Sequence, residues 1–176
     1  LPMPALSATS DREQAPAVTV KLPGSGAVPV EIPVSNVTAG TVAMLVKSDG
    51  TEEIIKRSLT TETGVAVALT NGDTVKIVEN SKHFLDVDTS YWGADAVAFA
   101  SSRELFSGTG KETFSPDAPM DRAMIVTVLA RLEGIDTSAG ATWYEAGAQW
   151  ATANGISDGS HLDAVLTREQ LAAMLW

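Results

Sequence analysis

The sequence predicts an α+β chain in which a small all-β, sandwich-like domain precedes all-α helix–loop–helix repeats. Three observations carry that prediction. Residues 18–79 are a succession of short segments rich in β-branched residues. The pattern turns helical after Asn80-Ser81-Lys82, and a tryptophan-led unit then recurs 51 positions on, from Trp92 to Trp143. Of the 176 residues, 44% are hydrophobic and 19% charged, the balance of a folded chain rather than a disordered one.

Residues 1–14 are rich in Pro, Ala and Ser with no period, and read as a tail or linker. Residues 15–81 form the small all-β domain. Its strands are VTVKL, VPVEIPV, TVAMLVK, EEIIKRS, VAVAL and TVKIVE, and six short strands at this spacing suggest a small sandwich. Ser48-Asp49-Gly50 marks the turn between the third and fourth. Asn71-Gly72-Asp73, between the fifth and sixth, reads as a tight hairpin turn. Pro29 and Pro33 remove ladder donors, so the second strand belongs at an edge or is irregular.

Residues 82–134 form the first helical repeat and residues 135–176 a partial second one. In the first, Trp92, Ala96, Phe99 and Ala100 share one helical face. After a turn-rich loop the next helix aligns Met124, Val128 and Leu132, with Ile125 and Leu129 beside them. In the second copy Trp150 follows Trp143 by seven positions, as Phe99 follows Trp92. Gly159 follows Trp143 by sixteen, as Gly108 follows Trp92. Each copy then reaches a polar residue followed by arginine, Asp121-Arg122 or Thr167-Arg168. Asp121 and Thr167 are N-caps, and Thr167 with Gln170 has the form of a capping box. An arginine in the next position gains nothing from the helix dipole, which favours acids there.

The net charge is −10, from 22 acids and 12 bases. Residues 1–82 hold 9 acids and 7 bases; residues 83–176 hold 13 and 5. This is the opposite of a nucleic-acid footprint. There is no cysteine, hence no disulfide and no cysteine-based metal site or nucleophile. No apolar run reaches membrane-spanning length, and no signal peptide opens the chain. A first residue of Leu1 suggests a mature or excised piece. No phosphate loop, His-Glu-x-x-His or Gly-x-Ser-x-Gly motif is present, and His83 and His161 share no repeat position and read as surface residues. No catalytic residue, metal ligand or cofactor is assigned, and the chain is read as a non-enzyme.

The stretch FLDVDTSYWGADAVAFASSRELFSGTGKETFSPDAPMDRAMIVTVLARL resembles an S-layer homology repeat. Phe84, Asp86, Val87, Trp92, Gly108, Phe114, Pro116 and Arg122 follow that family's pattern in order. The second copy keeps Trp143, Gly155, Gly159, Thr167, Arg168 and Glu169 but lacks the F-x-D-V opening and the F-x-P loop. The resemblance implies three repeats around a pseudo-threefold axis. The grooves between them would hold a secondary cell-wall polysaccharide, often carrying a pyruvylated amino sugar, with the helix-start arginine on the negative ligand. This chain has fewer than three repeats, its last helix stops at Trp176, and it has Asp121-Arg122-Ala123-Met124 where the family prefers Thr-Arg-Ala-Glu. Faces that a third repeat would meet are expected to be apolar, covered by the β domain or by another chain.

Two readings of Arg122 and Arg168 stand side by side. Each pairs with local acids, or each joins free helix-start N–H groups in holding a ligand carboxylate. The resemblance favours the second. Candidate ligand-binding residues are therefore Arg122, Arg168, Asp121, Thr167, Trp92, Trp143, Gly108 and Gly159. Trp92 and Trp143 also read as core anchors, Gly108 and Gly159 as turn residues, and Asp86 and Asp88 as braces of the turn into the first helix. The expected function is noncovalent anchoring of a secreted bacterial surface protein to a secondary cell-wall polysaccharide or a peptidoglycan-linked glycan, at the cell wall or surface layer. The alternatives are a self-associating surface-layer module, or an accessory domain of an extracellular carbohydrate-active enzyme. No nucleic-acid partner and no membrane span are expected.

Overall fold

The structure, a computed structural model, describes residues 5–176. Residues 1–4 of the stretch read as a tail lie outside the described residues. The chain divides into two compact units, residues 1–114 and 115–176.

The first unit is built on two antiparallel sheets. β1 (Ala17–Thr19), β7 (Thr74–Glu79), β3 (Thr41–Val46) and β4 (Glu52–Ile54) form one, in the order β1-β7-β3-β4. β2 (Val28–Pro33), β6 (Gly64–Leu69) and β5 (Leu59–Thr60) form the other, in the order β2-β6-β5. Ile32, Val65, Val67 and Leu69 of one sheet and Ala43, Val75 and Ile77 of the other meet in a shared buried cluster. The opposite side of the four-stranded sheet is also buried, through Val42, Met44, Ile54 and Val78 with Ala15. β3 is therefore covered on both faces, which is why TVAMLV reads as a continuous apolar run rather than an alternation. Residues 5–14 run along these sheets. Leu6 bridges Val34, Thr9 bridges Val78, and Ala8 is buried.

Ser48-Asp49-Gly50 closes the β3–β4 hairpin, with Lys47 N–H bonded to Thr51 O at 2.8 Å and Gly50 at φ +83°. The hairpin expected at Asn71-Gly72-Asp73 does not form, because β6 and β7 belong to different sheets. This turn is instead tied to the β1 side. Gly72 N–H donates to Val20 O, and Leu22 N–H to Asn71 Oδ1. β2, with its two prolines, is an edge strand.

The expected division into a β half and an all-α half is not what folds. The chain is a β-rich, mixed α+β structure with a few short helices. The helices are α1 (Ala94–Ser102), α2 (Arg122–Leu132), α3 (Glu145–Ala153) and α4 (Arg168–Leu175), none longer than 11 residues. Turn-rich loops separate them and include the isolated bridges Gly110↔Thr113 and Asp121↔Val165. Moreover, α1 belongs to the unit that holds the sheets and packs beside β3.

The link between α1 and the sheets is Arg103, the residue that ends the helix. It is 0% exposed, the largest fully buried side chain among the described residues. Its Nε donates to Ser58 O at 2.8 Å, Nη1 to Ala39 O and Phe99 O, and Nη2 to Thr41 O at 3.1 Å. The guanidinium also lies 3.6 Å from the Phe99 ring centroid, a cation–π contact one helical turn away. No carboxylate faces it among the described residues, so backbone carbonyls and the ring carry the charge. Burial pushes its pKa down to about 10, which leaves it charged at neutral pH. This contact rotates α1 away from the expected face. Val97, Ser101 and Ser102 are buried, whereas Ala96 is exposed.

The second unit is organised around α2, which buries Ala123, Ile125, Val126, Thr127 and Ala130. Its cluster also takes in Trp150, Ile156, Leu162, Leu166, Leu171 and Met174. α3 approaches α2 at Gly147, where an added Cβ would lie 2.8 Å from Thr127 Cα.

Two stability effects follow. Arg103→Met removes the donors from four carbonyls of the sheet unit and should cost about 3 kcal/mol or more, with Arg103→Lys recovering only part. Urea unfolding of the full chain measures both. Gly147→Ala gains about 1 kcal/mol of helix propensity but forces α3 off Thr127, and a net loss of about 1–3 kcal/mol is expected in the same assay.

Candidate functional site

The first repeat opens with an aromatic clasp. Phe84 is buried and its ring meets Phe114 edge-on at 5.2 Å, while Phe106 lies 6.1 Å from Phe114. Asp86 Oδ1 accepts the Phe114 N–H at 2.9 Å. Gly108 has φ +77°, and a Cβ there would meet Thr113 O at 2.5 Å and Phe84 at 3.1 Å. Only glycine fits this approach. Phe84, Asp86, Gly108 and Phe114 thus hold the loop together. Asp88 accepts from the N–H and hydroxyl of Ser90 and braces the turn before α1. Those two hydrogen bonds hold its carboxyl below the usual carboxylate range.

The same brace recurs in the second unit, where Asp136 accepts from the N–H and hydroxyl of Ser138. The repeated Asp-Thr-Ser triplet, at 88–90 and 136–138, was a sequence signal for equivalent turns that the tryptophan spacing alone does not reveal.

Trp92 and Trp143 are not core anchors. Trp92 is 90% exposed and Trp143 52% exposed. Each lies ahead of its helix and pairs with a neighbouring tyrosine: Trp92 with Tyr91 at 5.6 Å, Trp143 with Tyr144 at 5.2 Å. Because α1 starts at Ala94 and α3 at Glu145, neither tryptophan belongs to the helical face that its spacing suggested.

The two arginine-bearing helix starts share one short antiparallel ladder. Asp121 bridges Val165, Leu166 N–H donates to Met120 O at 2.8 Å, and Arg122 N–H donates to Ala164 O at 3.1 Å. Asp121 and Thr167 both cap. Met124 N–H donates to Asp121 Oδ1 at 2.7 Å, and the Thr167–Gln170 capping box is complete.

The free N–H groups expected at these helix starts are largely occupied. In α2, Arg122 N–H goes to Ala164 O, Ala123 N–H to Leu162 O and Met124 N–H to Asp121. In α4, the Glu169 carboxylate folds onto its own N–H and the Thr167 hydroxyl, which keeps its pKa below the usual range. An incoming anion would therefore meet guanidinium rather than backbone.

The two guanidinium groups differ. Arg122 is largely buried and its Nη2 pairs with Asp158 Oδ1 at 3.0 Å and with Ser157 Oγ at 3.4 Å. Its Nε is buried without a hydrogen-bond partner. Asp158 is largely exposed. The N–H and hydroxyl of Ser160 hold its carboxyl below the usual range, with a smaller contribution from Arg122. Gly159, at φ +74°, turns this Asp158-Gly159-Ser160 loop, so Gly159 and Arg122 belong to one neighbourhood. Arg168 is exposed and has no ion-pair or hydrogen-bond partner for its side chain among the described residues. Among those residues there is also no cluster fit to hold a metal ion, and no helix is long and apolar enough to cross a membrane.

No curated protein and no solved structure matches the chain. Residues 83–123 match the family model described as S-layer homology domain. The matched stretch begins at the aromatic clasp and ends with Asp121, Arg122 and Ala123 at the start of α2. S-layer homology domains serve in cell-wall anchoring of bacterial surface proteins, which associates this chain with cell-wall polymers at the cell surface. Residues 83–123 of this chain thus carry the S-layer homology signature.

Proposed function

We propose that this chain anchors its parent protein noncovalently to a secondary cell-wall polysaccharide, through an anionic group such as a pyruvyl carboxylate. The observation that carries this reading is the shared ladder of the two arginine-bearing helix starts. One arginine is exposed and unpaired among the described residues. The other is held by an exposed aspartate and has an unsatisfied Nε. A ligand carboxylate could displace Asp158 and supply the acceptor that Nε lacks. Arg122 and Arg168 are the ligand contacts, Asp121 and Thr167 fix the helix starts, and Gly159 lets the loop turn beside Arg122. Exposed Trp92 and Trp143 are available as sugar platforms. On this reading the chain itself catalyses nothing.

A second reading is self-association in a surface layer. It draws on the exposed apolar side chains Val165 and Leu175 of the second unit. Sedimentation velocity without glycan separates the two, because only self-association makes the oligomer depend on protein concentration.

Cell-wall sedimentation assays test the anchoring reading. Arg122→Ala and Arg168→Ala should each weaken binding roughly ten- to a hundredfold, the loss of a charge-assisted hydrogen bond worth about 1.5–3 kcal/mol. Arg122→Lys should rescue poorly, because an ammonium cannot reproduce the planar fork. Circular dichroism should show each variant folded. Wild-type binding by all three would defeat the proposed contact.

Asp158→Asn removes the internal competitor. The pair is exposed on the acid side and weak, so release of Arg122 should tighten wall binding by no more than about 5-fold. Weaker binding would instead make Asp158 a positioning residue for Arg122.

A further inference from the structure

The unit that holds the sheets carries a cationic cluster with no carboxylate partner among the described residues. Arg12 Nη2 and Lys82 Nζ donate to the same oxygen, Asn80 Oδ1, at 2.9 and 3.0 Å. The two nitrogens are therefore no more than about 6 Å apart, like charges sharing one neutral acceptor. Asn80 is only 7% exposed, and its Nδ2 donates to Ser102 O at the end of α1. Lys56 Nζ reaches the next carbonyl, Arg103 O, at 3.4 Å. The arginine and lysine side chains on Asn80 belong to exposed residues.

In a chain with 22 acids and 12 bases, carboxylates are abundant. Yet among the described residues neither Arg12 nor Lys82 pairs with one. Several acids of the same unit are engaged elsewhere. Glu79 accepts the hydroxyls of Thr38, Thr41 and Ser81. Asp11 accepts the N–H groups of Glu13 and Gln14. Glu52 pairs with Lys76, whose Nζ also reaches Arg12 O. The C-terminal end of α1 supplies only about half a unit of negative charge, less than the cations gathered around it.

We propose that Arg12 and Lys82, positioned by Asn80, form an oxyanion-binding site for a carboxylate or phosphate group. The guanidinium supplies a planar two-pronged donor and the ammonium a mobile point charge. Asn80 holds both in place and yields Oδ1 as the acceptor that the anion replaces. This site belongs to the sheet unit and does not depend on the role of Arg122 or Arg168.

The test is a titration of the full-length, 15N-labelled chain with inorganic phosphate and, separately, glucuronate. Ionic strength is held constant with chloride, and the Asn80 side-chain amide is followed. A saturable shift is expected with at least one of them, weakened at least roughly tenfold by Arg12→Gln or Lys82→Gln and unchanged by Lys21→Gln. The tighter of the two anions identifies the phosphate or the carboxylate as the group recognised. The proposal is overturned if the shifts are unsaturable and equal to those from chloride. It is equally overturned if saturation survives in a folded Arg12→Gln/Lys82→Gln double variant.

Discussion

A fully buried guanidinium without a counter-ion sets the terms for the first unit. Removing a charge from water is expensive, and among the described residues Arg103 has no carboxylate to offset it. The cost is met by geometry. The carbonyls of Ser58, Ala39, Thr41 and Phe99 accept its N–H groups, and the Phe99 ring covers its face. These acceptors come from the loops and strand ends around β3, β4 and β5 and from α1 itself. All must be in place at once for the charge to be tolerated. Arg103 thus fixes how α1 lies on the sheets, and the first helix of the S-layer homology stretch is built into the β-containing unit rather than standing apart from it.

The family signature divides into two physical roles. Phe84, Asp86, Gly108 and Phe114 are spent on a local clasp of rings, one side-chain-to-backbone hydrogen bond and a close backbone approach. Their spacing is demanded by that clasp and says nothing about a ligand. Arg122, near the end of the same matched stretch, has a different character. It is held by an exposed acid and leaves one buried N–H without a partner. A residue placed so is poorly explained by stability alone, which is why the proposed ligand contact is put there.

If, as proposed, this acidic chain engages an acidic polymer, it must do so through local positive geometry, since long-range attraction is unfavourable and salt screens it within about 10 Å. The second unit offers guanidinium groups at two helix starts, and the sheet unit offers cations converging on Asn80. Separate weak contacts of this kind reinforce one another on a repetitive polymer, because binding at one raises the effective concentration at the next.

Features set by a few neighbouring residues were legible in the sequence. The β texture of residues 18–79 and the Ser48-Asp49-Gly50 turn follow from local propensity, and so do the N-caps Asp121 and Thr167 with the Thr167–Gln170 box. The clasp residues were legible as motif positions. What the sequence did not determine depends on segments far apart in the chain. Asn71-Gly72-Asp73 has the composition of a hairpin turn, yet the packing of two sheets makes it a crossing between them. Trp92 and Ala96 have the spacing of a buried face, yet Arg103 finds its acceptors on the sheets 45 to 64 residues away, and Val97 and Ser101 face inward. The helix starts look open to an anion, yet carbonyls of Leu162 and Ala164 occupy the first N–H groups of α2. Capping and turn chemistry act over three or four residues and are written locally. Burial, and the partner that satisfies each polar group, are decided only when distant segments meet.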